Sequence, residues 1–244
     1  MPRSKSPAKA TGTDVSLVVG LGAAAYDRLK RAIVECELPP GSVISQPQLE
    51  ERYGLSRAAI RAALSRLQQE RLVEPIPRHG YRIPPFTVQD IEEIFFLRGL
   101  VEPVSNRLAA GRMSRDALEE LRVLSEVSFT LGDRDSERAY VDANRTFHLR
   151  IAEASGNGRL LSLIRQIHDD STLMVYLTMA FRDFNAEWKL GHEQIILALA
   201  AGDGVAAEHH SRAEIAAGRE SVVRTLLSHP GISSLNLSPS KSKS

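Results

Sequence analysis

The sequence predicts a mainly α-helical protein in two parts: three helices with a small β-hairpin, then an antiparallel all-α bundle of about six to seven helices. Two observations support this prediction. Apolar residues recur every three to four positions along most of the chain, which is typical of helices that bury one face. The pair Pro84-Pro85 separates a segment that contains two strand-like runs from a longer segment with helical periodicity alone.

Composition narrows the class of protein. Of the 244 residues, 43% are hydrophobic, enough to fill a substantial core. No run of 18 or more apolar residues occurs, and the N-terminus lacks the apolar stretch of a secretory signal. We therefore expect a cytoplasmic protein that does not enter a membrane. The single cysteine, Cys36, excludes an internal disulfide and a multi-cysteine zinc site.

Charge is unevenly distributed, although the net charge is only +1. Residues 1–84 contain 13 Lys and Arg against 8 Asp and Glu, and the remainder contains 18 against 22. The basic end is the candidate nucleic-acid face. Because many solvated surfaces differ as much, this asymmetry needs support from motifs.

Four segments follow from composition and periodicity. Residues 1–20 and 229–244 are rich in Ser and Lys, and we expect both to be flexible tails, the first of them basic. Residues 21–84 form the domain with the hairpin. Residues 87–228 form the helical domain, which we expect to begin at a capping pair, Thr87 with Asp90.

Three helices and two strands are expected in the first domain. They cover residues 23–35, 46–53 and 57–71 as helices and residues 73–76 and 81–83 as strands. Gly54 suits the left-handed residue that ends the second helix, and Ser56 is a good N-cap for the third. This order of elements predicts a winged helix-turn-helix.

The start of the third helix is the candidate DNA-reading segment. Backbone N–H groups after Ser56 favour a phosphate there. Arg57 and Arg61 project from one flank, one turn apart, and the alanines at 58, 59 and 62 leave room for a groove. Arginine in this position contacts phosphates or the O6/N7 edge of guanine. The alternative is a solvated basic flank, and spacing alone does not distinguish the two.

The segment PPGSVISQPQLEERYGLSRAAIRAALSRLQQERLVEPIPRHGYRI resembles the winged helix-turn-helix of GntR-type regulators, and the resemblance covers about residues 23–84. It implies that Arg57 and Arg61 contact operator DNA. It also implies that His79-Gly80 enters the minor groove at the tip of the wing, with electrostatic support from Arg78.

Four positions depart from the family pattern. Pro47 replaces a charged residue of the second helix, so no DNA contact is carried over to it. Ala58-Ala59 replaces the usual Thr-Pro pair, which leaves the operator sequence open. Arg71 stands where glycine is usual, and we expect a locally adjusted turn there.

In the helical domain, the turns are expected near residues 111–114, 132–133, 155–158, 183–186 and 202–204. Asn144 and His148 share one helical face. His192 precedes Asp203 by as many residues as Glu214 follows it, so a hairpin at Asp203 brings these two side chains to equal depth. These four side chains are therefore expected to converge.

Two imidazoles, a carboxylate and an amide oxygen suit a divalent ion with open positions for water or a carboxylate. The alternative is a pair of buried histidines with ordinary hydrogen bonds and a Glu214 that faces water.

The segments FFLRGLVEPVSNRLAA, NRTFHLRIAEASGN and GHEQIILALAAGD resemble the effector-binding FCD domain of the FadR subgroup, over about residues 87–228. The resemblance implies a sensor of small organic acids and a metal held by Asn144, His148 and His192. Glu214 stands where the family has histidine, which leaves zinc, nickel and manganese open. His210, one turn earlier, is a candidate substitute, and the favoured alternative is that His209 and His210 both face solvent. Arg98 is the candidate clamp for the effector carboxylate, with an Arg98–Glu102 ion pair as the alternative.

These observations favour a homodimeric repressor or activator that binds a palindromic DNA operator and is not an enzyme. One alternative is a metal-dependent enzyme in which His148, His192 and Glu214 activate water. It leaves the winged helix without a role. Another alternative is a winged helix that contacts proteins instead of DNA. The basic wing and the two arginines of the third helix favour DNA over this alternative.

Overall fold

The structure is a computed structural model that describes residues 12–228, with side chains described from residue 22 onward. The chain divides into two compact units at Pro85. The first unit contains α1 (Gly12–Val34), β1 (Val43–Ile44), α2 (Gln46–Tyr53), α3 (Arg57–Gln69), β2 (Glu74–Ile76) and β3 (Gly80–Arg82). The second contains α4 (Val88–Ala109), α5 (Arg115–Ser125), α6 (Arg134–Ala154), α7 (Gly158–Met179), α8 (Asn185–Ala201) and α9 (Gly204–Ser228).

The predicted fold class is confirmed. Over the described residues, a helix-turn-helix with a small antiparallel sheet precedes six helices, α4 to α9. No helix in that range is long and apolar enough to cross a membrane.

The sheet of the first unit has one strand more than expected. Its order is β1-β3-β2, and β1 pairs Val43 with Arg82 and Ile44 with Tyr81. A strand of two residues is too short to show an alternating pattern, so periodicity could not reveal it. The added strand fixes the base of the wing.

Helix α1 corrects the expected boundary of the N-terminal tail, because residues 12–20 are helical. This segment contains Val and Leu and no proline. Gly20 within it and Gly22 just beyond it each cost roughly 1 kcal/mol in a helix interior, and they hid the helical preference. Residues 1–11 and 229–244, also expected as tails, lie outside the described residues.

Helix α3 is set by its cap and its core face. The Ser56 side chain accepts a hydrogen bond from Ala59 N, and Ile60, Leu64 and Leu67 are fully buried. The helix ends at Gln69, two residues before the expected end. Arg71 then adopts φ +60°, the left-handed conformation that costs a residue with a Cβ roughly 1–2 kcal/mol, in line with the adjusted turn expected there.

Helices α4, α6 and α8 end within two residues of the turns that the sequence predicts, but α5 ends at Ser125 and α7 at Met179, seven and four residues before the expected turns. Helix α4 lies along α9. Pro103 lies within α4 and removes the hydrogen bond that the Gly99 carbonyl would otherwise accept. Arg212 of α9 donates to that carbonyl instead, at 3.1 Å. The proline is thus accommodated through a contact that joins α4 to α9.

We predict that Gly80→Ala destabilises the first unit by more than the 1–2 kcal/mol of a left-handed alanine. Gly80 has φ +105°, and a Cβ there would lie 2.3 Å from the Ile44 carbonyl oxygen of β1. The measurement is urea unfolding of the full chain. Gly54→Ala is the control: φ is +63°, but no atom lies within 4 Å of the added Cβ. Equal losses in the two variants would contradict the predicted clash.

Candidate DNA-reading surface and metal centre

The N-terminus of α3 presents its arginines to solvent. The Arg57 side chain is 73% exposed and has a loose ion pair with Glu50 of α2, at 3.8 Å. Arg61, one turn later, is also exposed. Ala58 and Ala62 are exposed beside them, whereas Ala59 faces the core. The arginines and the two outward alanines form an open surface that can approach a nucleic acid closely.

The wing presents a second polar element. Arg78 and His79 are exposed in the turn between β2 and β3, and Arg78 has φ +66°. Gly80 begins β3 against the backbone of β1. The wing tip is therefore narrow and carries a cation.

In the helical unit, three of the four predicted polar side chains converge, and the fourth, Asn144, is buried one turn before His148 on the same helix. Asn144 and His148 project from α6, His192 from α8 and Glu214 from α9. His192 Nε2 lies 3.3 Å and His148 Nε2 3.7 Å from Glu214 Oε1. The ligand-type atoms of these three residues all lie within 4.8 Å of one another. The equal spacing about Asp203 thus correctly placed His192 opposite Glu214, and the Glu214 side chain, 11% exposed, points inward.

These side chains have buried atoms without hydrogen-bond partners. The unpaired atoms are Asn144 Oδ1, His148 Nε2, His192 Nε2 and Glu214 Oε2. Each is an atom type that ligates metals, and unpaired buried polar atoms are rare because each one costs free energy. Neither Nε2 atom makes a well-aligned hydrogen bond, although His192 Nε2 lies 3.3 Å from Glu214 Oε1. The donor set fits a divalent ion.

A second group of metal-type side chains, Glu102, His148 and His168, lies beside the first. In this group the carboxylate of Glu102 already accepts hydrogen bonds from neighbouring side chains. Glu102 accepts from Arg98 at 2.6 Å, from His168 Nε2 at 3.1 Å and from His148 Nδ1 at 3.3 Å. Because these donors use both Glu102 oxygens, we place the candidate metal centre at Asn144, His148, His192 and Glu214.

Burial and charge set the ionisation of this region. Burial disfavours a charged Glu102, but Arg98, His168 and His148 hold its pKa well below the usual value. Burial lowers the pKa of His168 to about 4, against the opposing effect of Glu102. Burial also lowers the pKa of His192, opposed by Glu214. Neutral imidazoles are the form that metals bind.

Arg98 forms the ion pair that was the alternative to an effector clamp. Its guanidinium is buried and makes two hydrogen bonds to Glu102, through Nε and Nη2. Glu214 also interacts electrostatically with Arg98 and raises its pKa further. Arg98 therefore borders the cluster while its charge is shared with Glu102.

Packing fixes the orientation of the cluster. The Phe147 ring stacks on His192 with centroids 3.9 Å apart, and the His148 and His168 rings stack at 4.5 Å. Gly191 lets α9 come close, because a Cβ there would lie 2.9 Å from Glu214 Cγ. His209 and His210 are not members of either metal-type group found among the described residues.

Sequence reasoning missed His168, Tyr140 and Asn106. Each lies on a buried helix face, and the last two contribute further unpaired buried atoms, Tyr140 Oη and Asn106 Nδ2. Helical spacing could have indicated two of them. Tyr140 lies one turn before Asn144, and Asn106 lies one turn after Glu102, so each shares a helix face with a residue of the site.

Comparison with known proteins matches both units. The model of the gntR family of bacterial regulatory proteins matches residues 21–83, and the FCD domain model matches residues 93–217, half of the chain. The HTH-type transcriptional regulator YdhC of Bacillus subtilis (strain 168) is 27% identical over 59% of this chain and 65% of its own length. The regulator BphR of Paraburkholderia xenovorans (strain LB400) is 30% identical over 67% of this chain and 71% of its own length.

Solved structures share the fold. McbR/YncC of Escherichia coli has a TM-score of 0.64 at 21% identity and covers 84% of this chain and 97% of its own. A GntR protein from Rhodococcus sp. RHA1 has the same TM-score at 22% identity, over 83% of this chain and 97% of its own. Together with the family matches, these likenesses assign the chain to the GntR family of transcriptional regulators, with the FCD domain typical of the FadR subgroup.

Proposed function

We propose that the protein binds a palindromic DNA operator as a homodimer and that a small carboxylate, bound at a divalent metal ion in the helical unit, controls this binding. The observation that carries the proposal is the convergence of unpaired ligand-type atoms from α6, α8 and α9. A regulator of this family needs a signal, and this cluster is suited to receive one.

The DNA-binding role rests on the first unit. Arg57 and Arg61 are exposed at the N-terminus of α3, where the helix dipole favours phosphate, and Ser56 caps that end. Arg78, His79 and Gly80 form the wing that follows the adjacent minor groove. The arginines of α3 then face base edges or phosphates in the major groove.

Asn144, His148, His192 and Glu214 would hold a divalent ion, either zinc, nickel or manganese. A bound ion supplies positive charge and open coordination positions for an anionic ligand. The buried charges of Arg98, Glu102 and Glu214 sum to −1. A divalent ion changes this to +1, and one carboxylate neutralises it. The cluster therefore suits a monocarboxylate effector.

Arg98 supports effector binding through its positive charge, although it is hydrogen-bonded to Glu102. Its interaction with Glu214 shows that its positive charge reaches the cluster even though its hydrogen bonds go to Glu102. The electrostatic field of Arg98 stabilises a bound carboxylate. Arg98 would act through its charge at this position, and a bound ion would supply the coordination site for the carboxylate.

A second copy of the chain covers an apolar stripe on α4. Phe96, Leu100 and Val104 lie one turn apart, and their exposed fractions are 65%, 52% and 40%. An isologous interface uses the same patch on both copies, and paired α3 helices then read two half-sites.

We predict that Arg57→Ala and Arg61→Ala each weaken operator binding by about 1–3 kcal/mol, if each side chain reads a base. The operator is first obtained by genome-wide selection of bound fragments, and affinity is then measured by fluorescence anisotropy. Arg66→Ala is the matched control on α3. It is expected to leave the operator affinity unchanged, because the Arg66 guanidinium stacks on the Tyr26 ring at 3.6 Å. Unchanged affinity and sequence preference in both test variants would defeat the assignment.

We predict that His148→Ala with His192→Ala lowers the copurifying metal by about tenfold or more, since two imidazole ligands are lost. Elemental analysis of purified protein measures this. The double variant His209→Ala with His210→Ala removes two histidines from α9 and retains the metal. The same metal content in all three proteins would refute the site.

We predict that Leu100→Glu converts the dimer to a monomer at micromolar concentration, because a charge in the core of an apolar interface is strongly unfavourable. Sedimentation velocity gives the mass in solution. Val123→Glu, at a 62% exposed valine of α5, is the control and leaves the mass unchanged. A wild-type monomer, or a Leu100→Glu dimer, would exclude the α4 stripe as the interface.

A further inference from the structure

The hydroxyl of Tyr140 is a buried group that neither the fold nor the candidate metal centre uses. Tyr140 is 5% exposed, and its Oη has no hydrogen-bond partner. It precedes Asn144 by one turn and His148 by two, so it lies on the face of α6 that bears two of the ligand-type side chains. An unpaired buried donor on this face points to a missing acceptor.

The Tyr140 ring is held among other aromatic rings. Phe129 and Phe184 lie with their centroids 5.1 and 5.8 Å from it, and Trp188 lies at 6.0 Å. Trp188 itself precedes His192 by one turn on α8. We call these four side chains the aromatic cluster. It lies one turn before ligand-type residues on both α6 and α8, and its packing restrains the Tyr140 side chain from turning toward solvent.

Space and charge separate Tyr140 from Glu214. Glu214 Oε2 is also unpaired, so it does not accept from Tyr140 Oη. Burial raises the pKa of Tyr140, and the negative charges of Glu214 and Asp183 raise it further. The phenol is therefore protonated and available as a donor.

We propose that Tyr140 is a specificity-determining residue whose hydroxyl donates a hydrogen bond to a second oxygen of the effector, away from its metal-bound carboxylate. This inference rests on the proposed effector site. Its ligand class is a monocarboxylate with a hydroxyl or carbonyl oxygen about one helical turn, roughly 5 Å, from the carboxylate. A site built to bond such an oxygen rejects the analogue that lacks it, because Tyr140 then stays unpaired.

The test is calorimetric titration of the metal-loaded full chain with matched ligand pairs: butanoate with 4-hydroxybutanoate, and pentanoate with 5-hydroxypentanoate and 4-oxopentanoate. The wild type is expected to bind one oxygenated member roughly tenfold more tightly than its unsubstituted partner. Tyr140→Phe brings this ratio close to one and leaves the affinity for the unsubstituted acid nearly unchanged. Tyr176→Phe, at an equally buried tyrosine of α7, keeps the wild-type ratio.

Thermal unfolding without ligand separates recognition from packing. Tyr140→Phe keeps the ring and removes only an unpaired hydroxyl, so its melting temperature does not fall. A wild type that binds these acids without preference, or a Tyr140→Phe variant that keeps the wild-type preference, overturns the role of Tyr140 and leaves the proposed carboxylate site intact. A metal-loaded wild type that binds none of the acids overturns the carboxylate site itself, and this inference with it.

Discussion

The buried carboxylate of Glu102 joins three helices of the helical unit. It accepts hydrogen bonds from Arg98 on its own helix, from His148 on α6 and from His168 on α7. A lone carboxylate in this position would be expensive, and removing one member of such a network typically costs about 3–5 kcal/mol because a charge is left unpaired. The same contact orients the site, since an ionised Glu102 only accepts and His148 Nδ1 must carry the proton. His148 Nε2, on the other side of the ring, faces His192 and Glu214.

Local periodicity predicted much of the cluster. Positions four apart on one helix and positions equidistant from a turn are geometric relations that sequence contains directly, and they placed Asn144 with His148 and His192 with Glu214. The position of His168 depends on how α7 lies against α4, which no spacing within either helix specifies. Tyr140 was missed for a related reason: an aromatic residue on an apolar face is ordinarily core, and only the lack of a partner for its hydroxyl distinguishes it.

In the first unit, some elements could be predicted from the sequence and others could not. Its third helix and its wing followed from caps, turn residues and family resemblance, whereas the two-residue strand β1 and the helical residues 12–20 did not. Both omissions arise from weak local signals that tertiary structure overrides. Arg71 illustrates the opposite case, in which a departure from the family glycine is accepted at the cost of a left-handed backbone while the fold is kept.

Helix α4 has two distinct faces. One face holds Arg98 and Glu102 against the cluster, and the other carries the apolar stripe of Phe96, Leu100 and Val104. Packed helices respond to a changed neighbour by small rigid shifts rather than by local bending. A ligand that redistributes the hydrogen bonds of Glu102 would therefore shift α4 as a rigid unit, and the exposed apolar stripe on its opposite side would be displaced with it.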